Sequence, residues 1–258
     1  MTEYEILTRC FPELPLTEQQ FLRLSGLEHG AVFREDSGFA LTDGGSIRLL
    51  CVIPEERGNG LGTSLLARAE EHIRTRGHSR AELGGTSSQL LIGAPESSAD
   101  FFRKRGYVLA DRIAEMYGTP GMLREAPPAD SAEFRFIRGD GLAGAVAAVD
   151  EDWVQYFNGG EIFCGMCGND IASFCIVEDD VECIFSSGKT GSIGCVGTVP
   201  GFRRRGIGLK MVELAARELY SRGCERIFIH YTGVYDWYAK IGFRTGLMLW
   251  LGGKELHA

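Results

Sequence analysis

The chain has 258 residues, 44% hydrophobic and 24% charged, and a formal net charge of −8. This is the balance of a globular protein with apolar material for a core, and the acidic excess excludes general nucleic-acid binding, which needs a basic face. No segment approaches the roughly 20 apolar residues that cross a bilayer, and the opening MTEYEILTRC lacks the basic and apolar regions of a signal peptide; the expectation is a cytoplasmic protein with neither membrane nor nucleic acid as partner.

In chain order, the first strong signal is SIRLLCVI (46–53), a strand pattern that runs into PEERGNGLG. An amphipathic helix follows, with Leu65, Leu66, Ala69, His72 and Ile73 on one face and TRG as its stop. RAELGG then reads as a strand, and FFRKRGY as the end of a short helix. The proline-rich and polar stretch YGTPGMLREAPPADSAE (117–133) has linker composition, which divides the chain into domains 1–126 and 127–258. Beyond it, EIFCGMCGNDIASFCIVED predicts a hairpin closed by a tight turn. GSIGCVGTV predicts a strand that enters PGFRRRGIG, and a helix follows with Met211, Val212, Leu214, Ala215 and Leu219 on one face, stopped by SRG. ERIFIHY is the next strand, and WYAKIGF ends the next helix.

The two halves repeat one pattern. Pro54, Arg57, Gly60 and Gly62 match Pro200, Arg203, Gly206 and Gly208, each pair 146 residues apart. So long a period marks a duplicated domain, and each copy is predicted as strand, hairpin, strand, helix, strand, helix. The eight cysteines lie mostly in apolar, strand-like runs and read as buried free thiols. Cys164 and Cys167 form C-x-x-C without a second pair at knuckle spacing, so no metal is expected.

A strand that enters R-x-x-G-x-G and then opens a helix builds an anion site from backbone. The glycines admit unusual φ values and remove Cβ atoms that would hold a phosphate off. The helix start adds unpaired N–H groups and partial positive charge, and Arg203, Arg204 and Arg205 add charge-assisted bonds. A P-loop is excluded because neither copy has Lys followed by Ser or Thr after its last glycine. A dinucleotide fingerprint is excluded for want of a third glycine.

R-x-x-G-x-G behind a strand ending in VIP or TVP, followed by aromatic-Tyr-x-Lys-x-Gly-Phe, resembles the GNAT superfamily of N-acetyltransferases. The resemblance covers both halves, a tandem layout similar to that of mycothiol synthase-like proteins. It implies two tandem α/β (α+β) domains, each a mixed, mostly antiparallel sheet flanked by helices. It also implies acetyl-CoA as cofactor, its pyrophosphate on Arg203, Arg204, Arg205, Gly206, Ile207 and Gly208. In the first copy the counterparts are Arg57, Gly58, Asn59, Gly60 and Gly62. The strand ends Gly197, Thr198 and Val199, and Cys51, Val52 and Ile53, would pair with the pantetheine arm and aim an N–H at the thioester carbonyl. A β-bulge there would open a wedge beside the next strand.

The family's proton donor to the leaving thiolate is a tyrosine four residues before the final glycine. That residue is Tyr238 in the second copy and Phe102 in the first, so the second domain is expected to be catalytic and the first degenerate. Tyr231 or Thr232 stands where many relatives carry an asparagine, and the strand SIGCVGTV lacks the glutamate of several relatives. His230 is the first candidate for general base, with Asp236 and Glu182 behind it. Trp153, Tyr156 and Phe157, behind Asp150, Glu151 and Asp152, either wall an acceptor pocket or form an ordinary amphipathic segment. The expected activity is direct acetyl transfer to a primary amine of a small molecule, by a monomer or homodimer. The alternatives are transfer to a protein lysine or N-terminus, and a non-catalytic acyl-CoA binding or sensing protein.

Overall fold

A computed structural model describes residues 1–12, 14, 16–25, 30–84, 93–129, 131–137, 142–157, 161–185 and 188–257. The elements run α1 (Glu3–Cys10), α2 (Glu18–Ser25), β1 (Ala31–Glu35), β2 (Gly38–Asp43), β3 (Ser46–Val52), α3 (Leu61–Thr75), β4 (Arg80–Leu83), β5 (Ala94–Pro95), α4 (Ala99–Arg103) and β6 (Val108–Gly118). They continue with β7 (Glu133–Ile137), α5 (Leu142–Ala147), β8 (Glu161–Cys167), β9 (Asp170–Glu178), β10 (Thr190–Thr198), α6 (Ile207–Ser221), β11 (Arg226–Thr232), α7 (Tyr235–Ala239) and β12 (Arg244–Glu255). Two compact units result: Met1–Ile113 with Cys183–Phe185 and Leu247–Ala258, and Ala114–Glu182 with Ser186–Gly246.

In the first unit β1, β2 and β3 form an antiparallel meander, β3 pairs in parallel with β4, and residues 253–255 of β12 run antiparallel to β4. The predicted face of α3 packs on this sheet: Leu65, Leu66, Ala69 and Ile73 meet Ala40, Ile47, Ala81 and Leu83. Each fully buried aliphatic side chain contributes about 1.5–3 kcal/mol, so this stripe anchors the helix and fixes where it starts. His72, expected on that face, sits at its margin against the Phe33 ring. The expected order opened with a strand; here two eight-residue helices, α1 and α2, precede the hairpin. A Thr2/Glu5 capping box starts α1, and Phe21 of α2 is buried.

The second unit follows the expected order more closely. Strands β7 to β10 are antiparallel, β10 pairs in parallel with β11, and residues 114–118 of β6 run antiparallel to β11. Met211, Val212, Ala215 and Leu219 of α6 are buried, Leu214 only partly. Cys164 is buried and Cys167 partly exposed, and all eight cysteines are free. Among the described residues no helix is long and apolar enough to cross a membrane.

Both parallel pairs part after a few residues, and bulges mark the parting. In the first unit Arg48 is the extra residue, since Leu41 faces Leu49 and Thr42 faces Ile47. In the second unit Gly194 faces Ile176 and Gly197 faces Phe174, so Cys195 and Val196 stand opposite Cys175 alone. β11 bulges too: Ile229 faces Met116 and Thr232 faces Ala114, leaving His230 and Tyr231 opposite Glu115. Counting on from the last parallel pair, Ser192 and Phe228, the two bulges overlap at Cys195 and Tyr231. Two neighbouring strands that bulge together cannot stay paired, so they splay into a wedge.

Candidate functional site

The two glycine loops share one backbone path. Each follows a single 3₁₀ turn, Pro54–Glu56 or Pro200–Phe202, whose last residue hands over to an extended arginine, Arg57 (φ −72°, ψ 151°) or Arg203 (φ −64°, ψ 156°). The next position is left-handed, Gly58 at φ 88° and Arg204 at φ 64°, and so is the helix N-cap, Gly60 at φ 88° and Gly206 at φ 75°. Alternating signs of φ turn successive N–H groups toward one concave side, an anion-binding arrangement. No side chain caps α3 or α6, and neither has an acidic residue in its first turn, so the positive helix ends face outward without an anion of their own. Arg57 donates from Nε to the Val52 carbonyl at 2.9 Å and Arg203 to that of Thr198 at 3.0 Å. These bonds fix each guanidinium at the strand end and leave its Nη groups for a ligand.

Each loop borders a cavity of about 570 Å³ within its own unit. The second unit's is lined by Gly197 and Thr198, by Arg203, Arg204, Gly206, Ile207 and Gly208, and by Trp237, Tyr238 and Lys240 of the α7 region. The first unit's takes in Val52, Arg57, Gly58, Gly60 and Gly62, together with Phe102 and Arg105. Among the described residues three basic side chains line each cavity and no carboxylate does, in a chain of net charge −8, although Arg48 in the first is already paired with Asp43 at 3.0 Å. That local inversion of charge fits a polyanion. Gly197 is also sterically required, because a Cβ there would come within 2.3 Å of the Phe174 ring.

Some expected residues lie elsewhere. Val199, Arg205, His230, Ile53 and Asn59 are not on the cavity linings. Arg205 turns back onto the Gly201 carbonyl and the Phe202 ring. The Val199 N–H, expected to face a thioester carbonyl, donates to Ala172 at 2.9 Å, and Ile53 donates likewise to Ser37. The ladder is instead interrupted three or four residues before Val199, at Cys195 and Val196.

Tyr238 is 4% exposed, its ring edge-on to Trp237 and Phe243. Burial raises its phenol well above the ordinary value, and the Cys175 and Cys195 thiols beside it add to the effect. It therefore keeps its proton at neutral pH next to the β10 bulge. Phe102, its counterpart, is buried against Phe101 and Tyr107. Tyr107, the nearest phenol in sequence, is committed to Glu70, which also binds Lys254.

His230 is held by a residue the sequence did not single out. Glu115, 2% exposed, places Oε2 2.9 Å from His230 Nδ1 and 3.3 Å from the Tyr231 N–H. A carboxylate Oε2 accepts from both this N–H and the Nδ1–H tautomer of the ring, and the contact through Nδ1 directs Nε2 away from Glu115. Phe228 and His230 touch, and Phe228 pairs with Tyr117; the other face of this ribbon carries Gly118, where a Cβ would meet Tyr220 of α6. His230 therefore faces away from α6. Asp236 is exposed, and Glu182 is half-buried. Tyr231 (φ 53°), Cys195 (φ 46°) and Arg204 are three of the four described non-glycine residues with positive φ. Such backbone strain concentrates where function demands a particular geometry. Among the described residues no cluster of three or more His, Cys, Asp or Glu could hold a metal ion. Residues 87–92 of the first copy's longer connection, an expected acceptor-side loop or surface insertion, lie outside the described residues.

Comparison with known proteins agrees with this geometry. Among solved structures, the chain is similar to the GCN5-related glucosamine N-acetyltransferase region of a fungal multi-domain GH3 β-N-acetylglucosaminidase, with TM-score 0.76 and 21% identity, covering 96% of this chain and 36% of that one. The chain thus spans about a third of the fungal protein's length. It is also similar to a GCN5-related N-acetyltransferase from Sphaerobacter thermophilus (TM-score 0.63, 19% identity, 86% and 78% covered). A tandem GNAT protein from the clavulanic acid biosynthesis pathway matches over 100% of this chain and 97% of its own (TM-score 0.58, 13% identity). At these identities the likeness shows the fold. No curated protein matches the chain. The model of the acetyltransferase (GNAT) family matches residues 4–107 and again 129–243, and the chain belongs to that family as a tandem member.

Proposed function

We propose that the chain is an acetyl-CoA-dependent N-acetyltransferase that acetylates a primary amine of a small molecule in its second unit. The observation that carries this reading is the joining, in one cavity, of an uncapped helix start, a left-handed loop and three cations with a protonated tyrosine. The donor set fits coenzyme A: N–H groups and guanidinium groups without a competing carboxylate suit a pyrophosphate. Arg203, Arg204, Gly206 and Gly208 would hold it in the second unit, and Arg57, Gly58, Gly60 and Gly62 in the first. When bound, the cofactor supplies the acetyl group as an activated thioester.

The chain's own residues supply the proton handling. Tyr238 keeps a phenolic proton at neutral pH in a site from which water is largely excluded, the condition for a general acid. His230, its tautomer set by Glu115, presents Nε2 as the group to take a proton from an acceptor ammonium. An amine is a nucleophile only once neutral, so both roles are needed. That a structural neighbour is named a glucosamine N-acetyltransferase region supports a small amine over a protein one. The test is titration of acetyl-CoA into the intact protein, then an assay of free-thiol release against a panel of amines, amino sugars included. Binding lost with Arg203→Ala and thiol release lost with Tyr238→Phe are the expected results. Absence of any acetyl-CoA binding overturns the reading.

A further inference from the structure

We propose that Cys10 and Cys51 form a reactive dithiol in the wall of the first unit's cavity, with a small organic disulfide as its substrate. The proposal goes beyond acetyl transfer and does not depend on coenzyme A binding.

Cys10 is the last residue of α1, and the Arg9–Glu55 ion pair at 2.9 Å docks that helix end on the turn after β3. Its Sγ donates to the Val52 carbonyl at 3.3 Å, the oxygen that also accepts Arg57 Nε–H at 2.9 Å. Cys51 precedes Val52 on β3 and is 2% exposed, one residue along the strand from the carbonyl that holds the Cys10 thiol. Both thiols and Arg57 line one cavity. A half-buried sulfur, a second cysteine lining the same cavity one residue from its hydrogen-bond acceptor, and a fixed guanidinium make up the microenvironment of a reactive cysteine. The Cys51 side chain acts most strongly to lower the Cys10 thiol, to about 7; Arg57 lowers it further and burial opposes both. Cys51 moves the other way, well above an ordinary thiol.

Exposure and charge assign the roles. The Cys10 thiolate attacks one sulfur of the disulfide, forms a mixed disulfide and displaces one thiolate. Cys51 then loses its proton to solvent, attacks the Cys10 sulfur and displaces the second thiolate. The protein gives up two electrons as its Cys10–Cys51 bond forms, and the small disulfide becomes two thiols. The second unit has no counterpart: Gly197 stands where Cys51 does. Its shifted thiols all move up, Cys164 to about 12, with Cys175, Cys195 and Cys224 raised by burial.

The test uses the full, reduced chain and oxidised glutathione at pH 7. Peptide mass spectrometry should find the Cys10–Cys51 linkage before any of the other six thiols reacts, and Cys51→Ser should stop at glutathione on Cys10. Independently of how that variant folds, the pH dependence of iodoacetamide alkylation of Cys10 in the unaltered chain gives a second measurement. Its midpoint should lie near 7, with a rate at pH 7 about threefold above an ordinary thiol once lower nucleophilicity is offset against greater ionisation. A midpoint near the ordinary value of about 8.5, or Cys10 carrying glutathione that never passes to Cys51, overturns the proposal.

Discussion

The two units build the same anion loop and differ in what stands beside it. Both loops combine an extended arginine bonded to the strand end, a left-handed residue and an uncapped 15-residue helix. Both open on cavities of about 570 Å³ lined, among the described residues, by three basic side chains and no carboxylate. Around the loop, the second unit adds the buried phenol of Tyr238, while the first has Phe102 and the Cys10–Cys51 pair; the second unit's Glu115–His230 pair is not on its cavity lining. Binding here is a property of backbone path and helix ends, which tolerate many side chains. Proton transfer depends on single atoms, and on the proposed reading one ring hydroxyl, that of Tyr238 against Phe102, separates the catalytic unit from the other.

The sharpest way to break that comparison is Tyr238→Phe, which makes the second unit match the first. Removing a general acid costs on the order of 10²–10⁴ in rate, so turnover should fall by about that much. Acetyl-CoA affinity measured by calorimetry should stay within about twofold, because the phenol makes no ground-state charge. Unchanged turnover would mean that the tyrosine only packs, as Phe102 does. His230→Ala should lower turnover by roughly 10², the lower end of the general-base range. Glu115→Gln should have a smaller effect, about tenfold, since the amide retains the shape but weakens the hold on Nδ1–H. Combined with His230→Ala it should add nothing further, because a positioning residue has no separate contribution once its partner is gone. Additive losses in that cycle would show Glu115 to be structural.

Much of this was legible in the sequence because the loop is local. The Arg, the glycines and the helix behind them lie within about a dozen residues, and their repetition after 146 positions exposed the duplication. What remained hidden depends on distant pairing. Glu115 stands 115 residues before His230, and only the grouping of residues 114–118 with the second unit brings them together. The bulge was expected near residues 197–199 but occurs at Cys195 and Val196, since nothing in SIGCVGTV marks which residue lacks a partner. Helices α1 and α2 escaped notice because eight residues give barely two turns of periodicity, and their stability comes from packing.

Arginine replacements sharpen the comparison at the level of binding. Hydrogen bonds to charged groups are worth about 1.5–3 kcal/mol, so Arg203→Ala should weaken acetyl-CoA at the second unit by roughly 10–100-fold. Arg57→Ala should do the same at the first and leave the second unchanged. Two calorimetric sites, each lost with its own arginine, would show that both loops bind cofactor. One variant abolishing all binding would show that only its loop does.

The smallest expected effect isolates the residue that fills the same left-handed position in the two loops, Gly58 against Arg204. A non-glycine residue in the left-handed region costs about 1–2 kcal/mol, and Arg204 sits there at φ 64°. Arg204→Gly releases that strain, while glycine's greater freedom in the unfolded chain opposes it by about 0.5–1 kcal/mol. The net gain should be near 1 kcal/mol, or roughly 2–4 °C in Tm for a chain of this size. The same change removes a cation from the cavity lining, so acetyl-CoA affinity should drop as Tm rises. Gly58→Arg in the first unit should do the reverse, lowering Tm, and there it meets open space with nothing within 4 Å of the added Cβ. Opposite signs in the two units would show that the second accepts a strained backbone in exchange for charge. A loss of Tm with Arg204→Gly would mean instead that the arginine's surroundings stabilise it by more than the torsion costs.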